Sequence, residues 1–282
     1  MQRRDTVRCD MKHLLPFVVM FLSILGFAKP ISIAVSVFPI ANIVEQIAGT
    51  AGKVETVIPP FANPHHFTPR PSTAVKLQKT AVFFGVTPEF DGWIGKYLSE
   101  KTKVVFLKTS DQPNEHIWLY PEGGRQIARK AEKLLSGLYP EKSGVFQSNL
   151  QAFLKSVDET DKQIEKELAP LKGARFIQYH PAWNKFAARY GLKILATISN
   201  GHGKELSARE LMDLIRKARA EHVQVVVMGL HKESRAVETL IREIHGRELR
   251  LDSLGNPEDS QRNTYQKLLM FNGKKLAGAL HE

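Results

Sequence analysis

Histidine or aspartate stands just beyond a strand-like run at four places in this chain. They are Asn63-Pro64-His65-His66-Phe67-Thr68-Pro69, Asn114-Glu115-His116-Ile117-Trp118-Leu119, Tyr179-His180-Pro181-Ala182-Trp183 and Leu251-Asp252-Ser253-Leu254-Gly255. Proline has no amide donor and keeps its neighbours extended, so an imidazole on such a loop loses little chain entropy when something binds it. Three neutral imidazoles and one carboxylate form a closed, nitrogen-rich shell, which suits zinc in tetrahedral or slightly expanded coordination. The expectation is that His65, His116, His180 and Asp252 converge on one metal ion, with His66 equally placed to substitute for His65.

Each residue also has a plainer role. A single histidine after a strand is commonly a hydrogen-bonded surface group, and Asp252 can cap the loop before Gly255. Four coincident placements on loops stiffened by proline or tryptophan shift the balance toward a shared ligand. Trp118 and Trp183 read as packing that fixes the neighbouring histidines. His202 lies between Gly201 and Gly203, so it is either an auxiliary ligand or part of a plain mobile loop. Lys232 and Arg235 would repel a cation from His231, and His222 and His245 fall near helix ends, where a cationic imidazole suits the dipole. His231 follows a strand end and could face the cleft, whereas His222 and His245 receive no role.

The elements that must position these groups alternate in type. Ile31 to Val37, Val54 to Ile58, Ala81 to Gly85 and Lys103 to Leu107 read as strands, with helices opening at Pro39, Pro71 and Pro88 between them. From Pro121 the pattern is helical for about fifty residues with a break at Tyr139-Pro140, and Pro170 ends it. Its second part, Glu141 to Ala169, would be ~40 Å long, longer than one small lobe requires. The alternation then restarts with strands at Arg175 to Tyr179, Lys193 to Ile198, Val223 to Met228 and Glu248 to Asp252. Helices are expected over Pro181 to Tyr190, from a Ser207/Glu210 capping box through Glu221, over Lys232 to Ile244, and from about Ser260. The fold class is α/β: two βα lobes, each a mainly parallel sheet flanked by helices, bridged by one long helix. Ligands of open α/β sheets bind beyond the carboxyl ends of the strands, so the metal site belongs in the cleft between lobes.

Residues 1–28 are set apart. Arg3, Arg4, Arg8 and Lys12 precede an apolar run from Leu14 to Phe27, with Gly26 and Ala28 as small residues for cleavage, the pattern of a secretory signal. The run is shorter than the ~20 residues that span a bilayer, so no stable membrane insertion is expected after cleavage. Met11 is an alternative start. The expected division is 1–28 signal peptide, 29–140 N-terminal lobe, 141–170 connecting helix and 171–282 C-terminal lobe. Cys9 is the only cysteine and would leave with the signal, so the mature chain has no disulfide, thiolate site or lipid attachment at cysteine. A periplasmic location follows. Removing four basic and two acidic side chains lowers the formal charge from +11 to +9. That excess is spread over helix faces and interleaved with Glu, which argues against a nucleic-acid partner and for a cation site built from local ligands.

Pro64-His65-x-Phe67-x-Pro69, Glu115-His116-Ile117-Trp118-Leu119, His180-Pro181-Ala182-Trp183 with Phe186 and Tyr190-Gly191-Leu192, and Leu251-Asp252-x-Leu254-Gly255 together resemble one family over essentially the whole mature chain. It is the zinc and manganese solute-binding proteins of bacterial ABC transporters, cluster A-I. The resemblance implies His65, His116, His180 and Asp252 as ligands, and histidine at the third position goes with zinc where glutamate goes with manganese. It implies two lobes on one rigid helix, with metal release by small lobe shifts. The chain departs from the pattern in three places: it has no His- and acid-rich loop, Gly229-Leu230-His231 replaces an acidic Glu-Pro pair, and Lys204-Glu205-Leu206 replaces a commoner Glu-Pro turn.

The function this implies is a monomeric, non-enzymatic periplasmic receptor that captures Zn2+ and delivers it to an ABC permease and its ATPase, with acid weakening capture as histidines protonate. A manganese or iron receptor of the same family is the alternative. A secreted zinc hydrolase, with Glu115 or Glu205 as base, would instead need a water at the fourth position.

Overall fold

The computed structural model describes residues 29–60, 62, 67–107, 116–200 and 204–281. His65, His66, Glu115 and His202, and the segment read as a signal, lie outside the described residues.

The first lobe holds a four-stranded parallel sheet of β1 (Ile31–Val35), β2 (Gly52–Thr56), β3 (Val82–Gly85) and β4 (Lys103–Phe106), in the order β2-β1-β3-β4. The second repeats that permutation with β5 (Arg175–Gln178), β6 (Lys193–Thr197), β7 (Val225–Gly229) and β8 (Arg247–Leu251), ordered β6-β5-β7-β8 and again parallel. Strands buried on both faces need apolar residues at every position, and Val82-Phe83-Phe84-Gly85 is buried throughout. In each sheet the chain order reverses beside the first strand, between β1 and β3 and between β5 and β7. His180 follows β5 at that reversal, where open sheets bind ligands.

Between the lobes run α1 (Phe38–Ala48), α4 (Pro121–Leu138), α5 (Ser143–Leu168) and α9 (Tyr265–His281). The 26 residues of α5 make it about 39 Å long at 1.5 Å per residue, with 3-10 turns at Pro140–Lys142 and Ala169–Leu171 closing its ends. Phe146, Leu150, Phe153, Val157, Ile164 and Leu168 form its buried stripe. That stripe packs on α1 and α4 from the first half of the chain and on α9 from the second. The main apolar core is therefore continuous from lobe to lobe, with smaller clusters on the outer faces of the two sheets. Among the described residues no helix is long and apolar enough to cross a membrane.

Four helices start or end differently from the sequence expectation, each where a side chain captures a backbone group; one of them, expected from Lys232, is α8 (Arg235–Ile244), because Ser234 Oγ accepts from the Val237 amide at 3.3 Å. The helix expected from Pro181 begins as α6 at Asn184 (Asn184–Arg189), since buried Gln178 accepts from the Trp183 amide at 3.1 Å and donates to Asn184 Oδ1 at 2.7 Å. The helix expected from Pro88 to Leu98 is only α3 (Pro88–Asp91), followed by a 3-10 stretch at Gly92–Tyr97. There Asp91 folds back onto the Val86 amide at 2.6 Å. The last helix starts at Tyr265, because in the turn before it Asp259 accepts from the Gln261 amide at 2.9 Å and pairs with Arg262 at 2.7 Å. The Ser207/Glu210 capping box is present at the start of α7 (Ala208–Ala220), with both reciprocal bonds made.

Candidate metal centre

His116 is placed by its neighbours. Ile117–Leu119 form a buried 3-10 turn, and the Trp118 ring packs 5.3 Å from the His116 ring and 6.4 Å from Phe90. A buried indole N–H needs an acceptor. Trp118 Nε1 finds one across the cleft, donating to the Ser253 carbonyl at 2.6 Å. The turn carrying His116 is thus bolted to the loop that carries Asp252.

His180 stands on the opposite wall. Its strand is anchored at Tyr179, whose amide donates to the Val227 carbonyl at 2.8 Å and whose hydroxyl donates to Glu205 at 2.9 Å. Burial, with the Glu205 carboxylate beside it, pushes the Tyr179 phenol above its usual pKa. After the His180 turn, Trp183, Phe186 and Tyr190 stack edge to face, with Phe186 and Tyr190 centroids 4.7 Å apart.

The structure brings His116 and His180 together. Their Nε2 atoms are 3.3 Å apart and their rings are nearly perpendicular, at 80°. Two nitrogens each about 2.0–2.1 Å from a tetrahedral zinc ion sit about 3.3–3.4 Å from each other. The 3.3 Å between the two Nε2 atoms is thus the spacing that two nitrogen ligands of one such ion would have. Both residues are half-buried, which lowers the local dielectric while leaving a path for the ion.

Asp252 follows β8 directly and is 6% exposed. Its Oδ1 accepts from the Leu254 and Gly255 amides at 2.9 and 3.0 Å, and its Oδ2 accepts from Arg262 Nη1 at 2.7 Å. Buried Asn272 closes the other side, accepting from the Asp252 amide and donating to its carbonyl. Gly255 has φ +67°, with the Phe38 ring and the Arg262 carbonyl about 3 Å from where a Cβ would sit, so only glycine fits this turn. Asp252 therefore caps its loop, and a carboxylate with about four lone-pair positions retains one for a metal. Burial opposes the charge of Arg262, but the Asp259 and Asp252 carboxylates outweigh it and raise its pKa.

Among the described residues no three or more His, Cys, Asp or Glu side chains are grouped to hold a metal. His231 is exposed beside a loop that Arg250 clamps through the Leu230 and Lys232 carbonyls. His222 and His245 adopt left-handed backbone at helix ends, with φ 53° and 48°, positions usually held by glycine or asparagine.

Sequence reasoning missed one rim carboxylate. Asp91 is fully buried at the end of α3, and burial pushes its pKa up to about 6 against the pull of backbone amides. Ser36 Oγ lies close enough to oppose that rise, yet it and Asp91 Oδ1 make no hydrogen bond among the described residues. Nothing in Thr87-Pro88-Glu89-Phe90-Asp91 distinguishes Asp91 from Glu89; only the fold turns one inward.

The family model for "Zinc-uptake complex component A periplasmic" matches residues 33–279. A "Putative metal-binding protein" of Thermotoga maritima is 27% identical over 252 residues, covering 87% of this chain and 91% of its own. The "High-affinity zinc uptake system protein ZnuA" of Brucella abortus is 21% identical over 306 residues, covering 89% and 90%. A crystal structure of ZnuA superposes with a TM-score of 0.78 at 25% identity, covering 89% of this chain and 99% of that one.

Proposed function

We propose, for a chain that belongs to the family of the periplasmic zinc-uptake complex component A, that it captures Zn2+ between its lobes and delivers it to an ABC permease and its ATPase. The ion is cargo, bound by deprotonated imidazoles and handed on, and no reacting group is required of the protein. His116 and His180 form the preformed half of the shell, and His65 and Asp252 complete it. His66 and His202 are auxiliary donors at most. The mature receptor is a monomer, made by cleavage after residue 28, with lobes 29–140 and 171–282 on the helix 141–170.

The observation that carries this reading is the 3.3 Å approach of His116 Nε2 and His180 Nε2 from opposite walls of the cleft. A nitrogen-rich shell also argues for zinc over manganese, which prefers oxygen donors. The test is competition against a chelating dye of known zinc affinity. His116→Ala and His180→Ala are each expected to weaken zinc binding by at least about 100-fold, since even residues that only support a ligand cost 10–100-fold. Wild-type affinity in both variants would refute the assignment.

A further inference from the structure

One buried carboxylate has no place in the cleft and touches both lobes. Asp161 lies in the second half of α5, with its side chain 7% exposed. From the first lobe's side it receives Arg125 of α4, Nη2 to Oδ2 at 2.9 Å. From the second it receives Arg189 of α6, Nε to Oδ1 at 3.1 Å, and the Tyr190 hydroxyl at 3.0 Å. Asp158 and Glu165, one turn to either side on α5, take the outer edges of the two guanidiniums. These flanking carboxylates are more than half exposed, so Asp161 carries the buried part of the network.

The two arginines are equivalently placed with respect to the histidines. Arg125 is nine residues after His116, and Arg189 is nine residues after His180. Each lies on the first helix downstream of its histidine, α4 in one case and α6 in the other. The connecting helix thus grips, through one carboxylate, the two elements whose positions set the distance between the histidines.

We propose that Asp161 is a positioning residue that holds the two lobes at the separation at which His116 and His180 share one ion, and so sets how long zinc stays bound. This rests on the zinc reading above. Neutralising Asp161 removes the one carboxylate the two guanidiniums share, leaving them only the exposed Asp158 and Glu165, and leaves a buried tyrosine hydroxyl without its charged acceptor. The shared tie between α4 and α6 is then lost, and the separation of the histidines widens.

The test uses the mature chain carrying Asp161→Asn. Zinc release into excess chelator is expected to become roughly tenfold faster, within the range that mutations along a coupled network produce. In a His180→Ala background the same change should have no effect on release, because the residue acts through the histidine pair. Arg189→Gln, which cuts only one arm, should act in the same direction by less, and gives a second variant if Asp161→Asn folds poorly. A readout independent of zinc keeps the inference separate from the function: spin labels at exposed Glu89→Cys and Glu233→Cys should report a broader or longer inter-lobe distance in metal-free Asp161→Asn than in wild type. If melting falls while the distance distribution and release rate stay at wild-type values, Asp161 is merely structural and the proposal is wrong. If wild type does not bind zinc, the functional reading fails and the label distances alone decide the role of Asp161.

Discussion

Asp91 and Asp252 are both buried carboxylates on the cleft-side rims of their sheets, and both fold back onto backbone amides. They differ in what else they meet. Arg262 pairs with Asp252 at 2.7 Å, whereas Asp91 has no ion pair among the described residues and its pKa is pushed up to about 6. Burial without a neighbouring cation opposes ionisation at Asp91, whereas Asp252 has a guanidinium beside it. The second lobe presents a rim carboxylate already compensated, and the first holds one whose ionisation the fold opposes.

The largest test makes the two alike by removing the cation. Arg262→Leu leaves Asp252 buried and uncompensated, and breaking a buried pair in this way costs about 3–5 kcal/mol. Urea unfolding should show that loss, and zinc affinity should fall as the Asp252 loop reorganises.

The next addresses Asp91. With a folded pKa near 6 and an ordinary value of 3.8, the native state binds a proton more tightly than the unfolded chain does. Its contribution is fully present below pH 3.8 and is lost as pH rises to about 6, an effect on the order of 3 kcal/mol at 1.36 kcal/mol per unit. Asp91→Asn should flatten that part of the stability profile, so the variant gains on wild type as pH rises from 4 to 7. Equal pH dependence in the two proteins would count against the buried, unpaired reading.

A smaller effect is expected where the lobes are joined. Trp118→Phe keeps an aromatic side chain but loses the bond to Ser253, and the lost bond should cost about 1–2 kcal/mol of stability. By slackening the His116 turn it should also weaken zinc binding by up to about tenfold in a dye competition, the low end for residues that orient ligands. Smallest is Thr87→Ala, which removes the hydroxyl that accepts from the Phe90 amide at 3.1 Å and starts the turn placing Asp91. Loss of such a cap costs about 1 kcal/mol, measurable as a lower urea midpoint with unchanged slope.

Much of the architecture was legible because it rests on local pattern. Continuous apolar runs such as Val225 to Met228 announce a parallel sheet, and the period of α5 and the Ser207/Glu210 box need no partner to be seen. What was not legible depends on side chains meeting across the chain. Gln178 delays α6, Arg262 reaches back to Asp252, and Asp161 collects Arg125, Arg189 and Tyr190, none of which leaves a trace in spacing. At the site, placement after strand ends pointed to His116 and His180, whose Nε2 atoms the fold brings to 3.3 Å. The same reasoning singled out Asp252 as a candidate ligand but not the guanidinium that the fold pairs with it, while His65, His66 and His202 lie outside the described residues.

Zinc-edge X-ray absorption on the stoichiometrically loaded mature protein would show whether one zinc ion is shared by imidazoles from both lobes. At least two imidazole nitrogens are expected in the first coordination sphere at about 2.0–2.1 Å, with one fewer in either His116→Ala or His180→Ala. A sphere of oxygen donors alone, or one that both substitutions leave unchanged, would contradict that expectation.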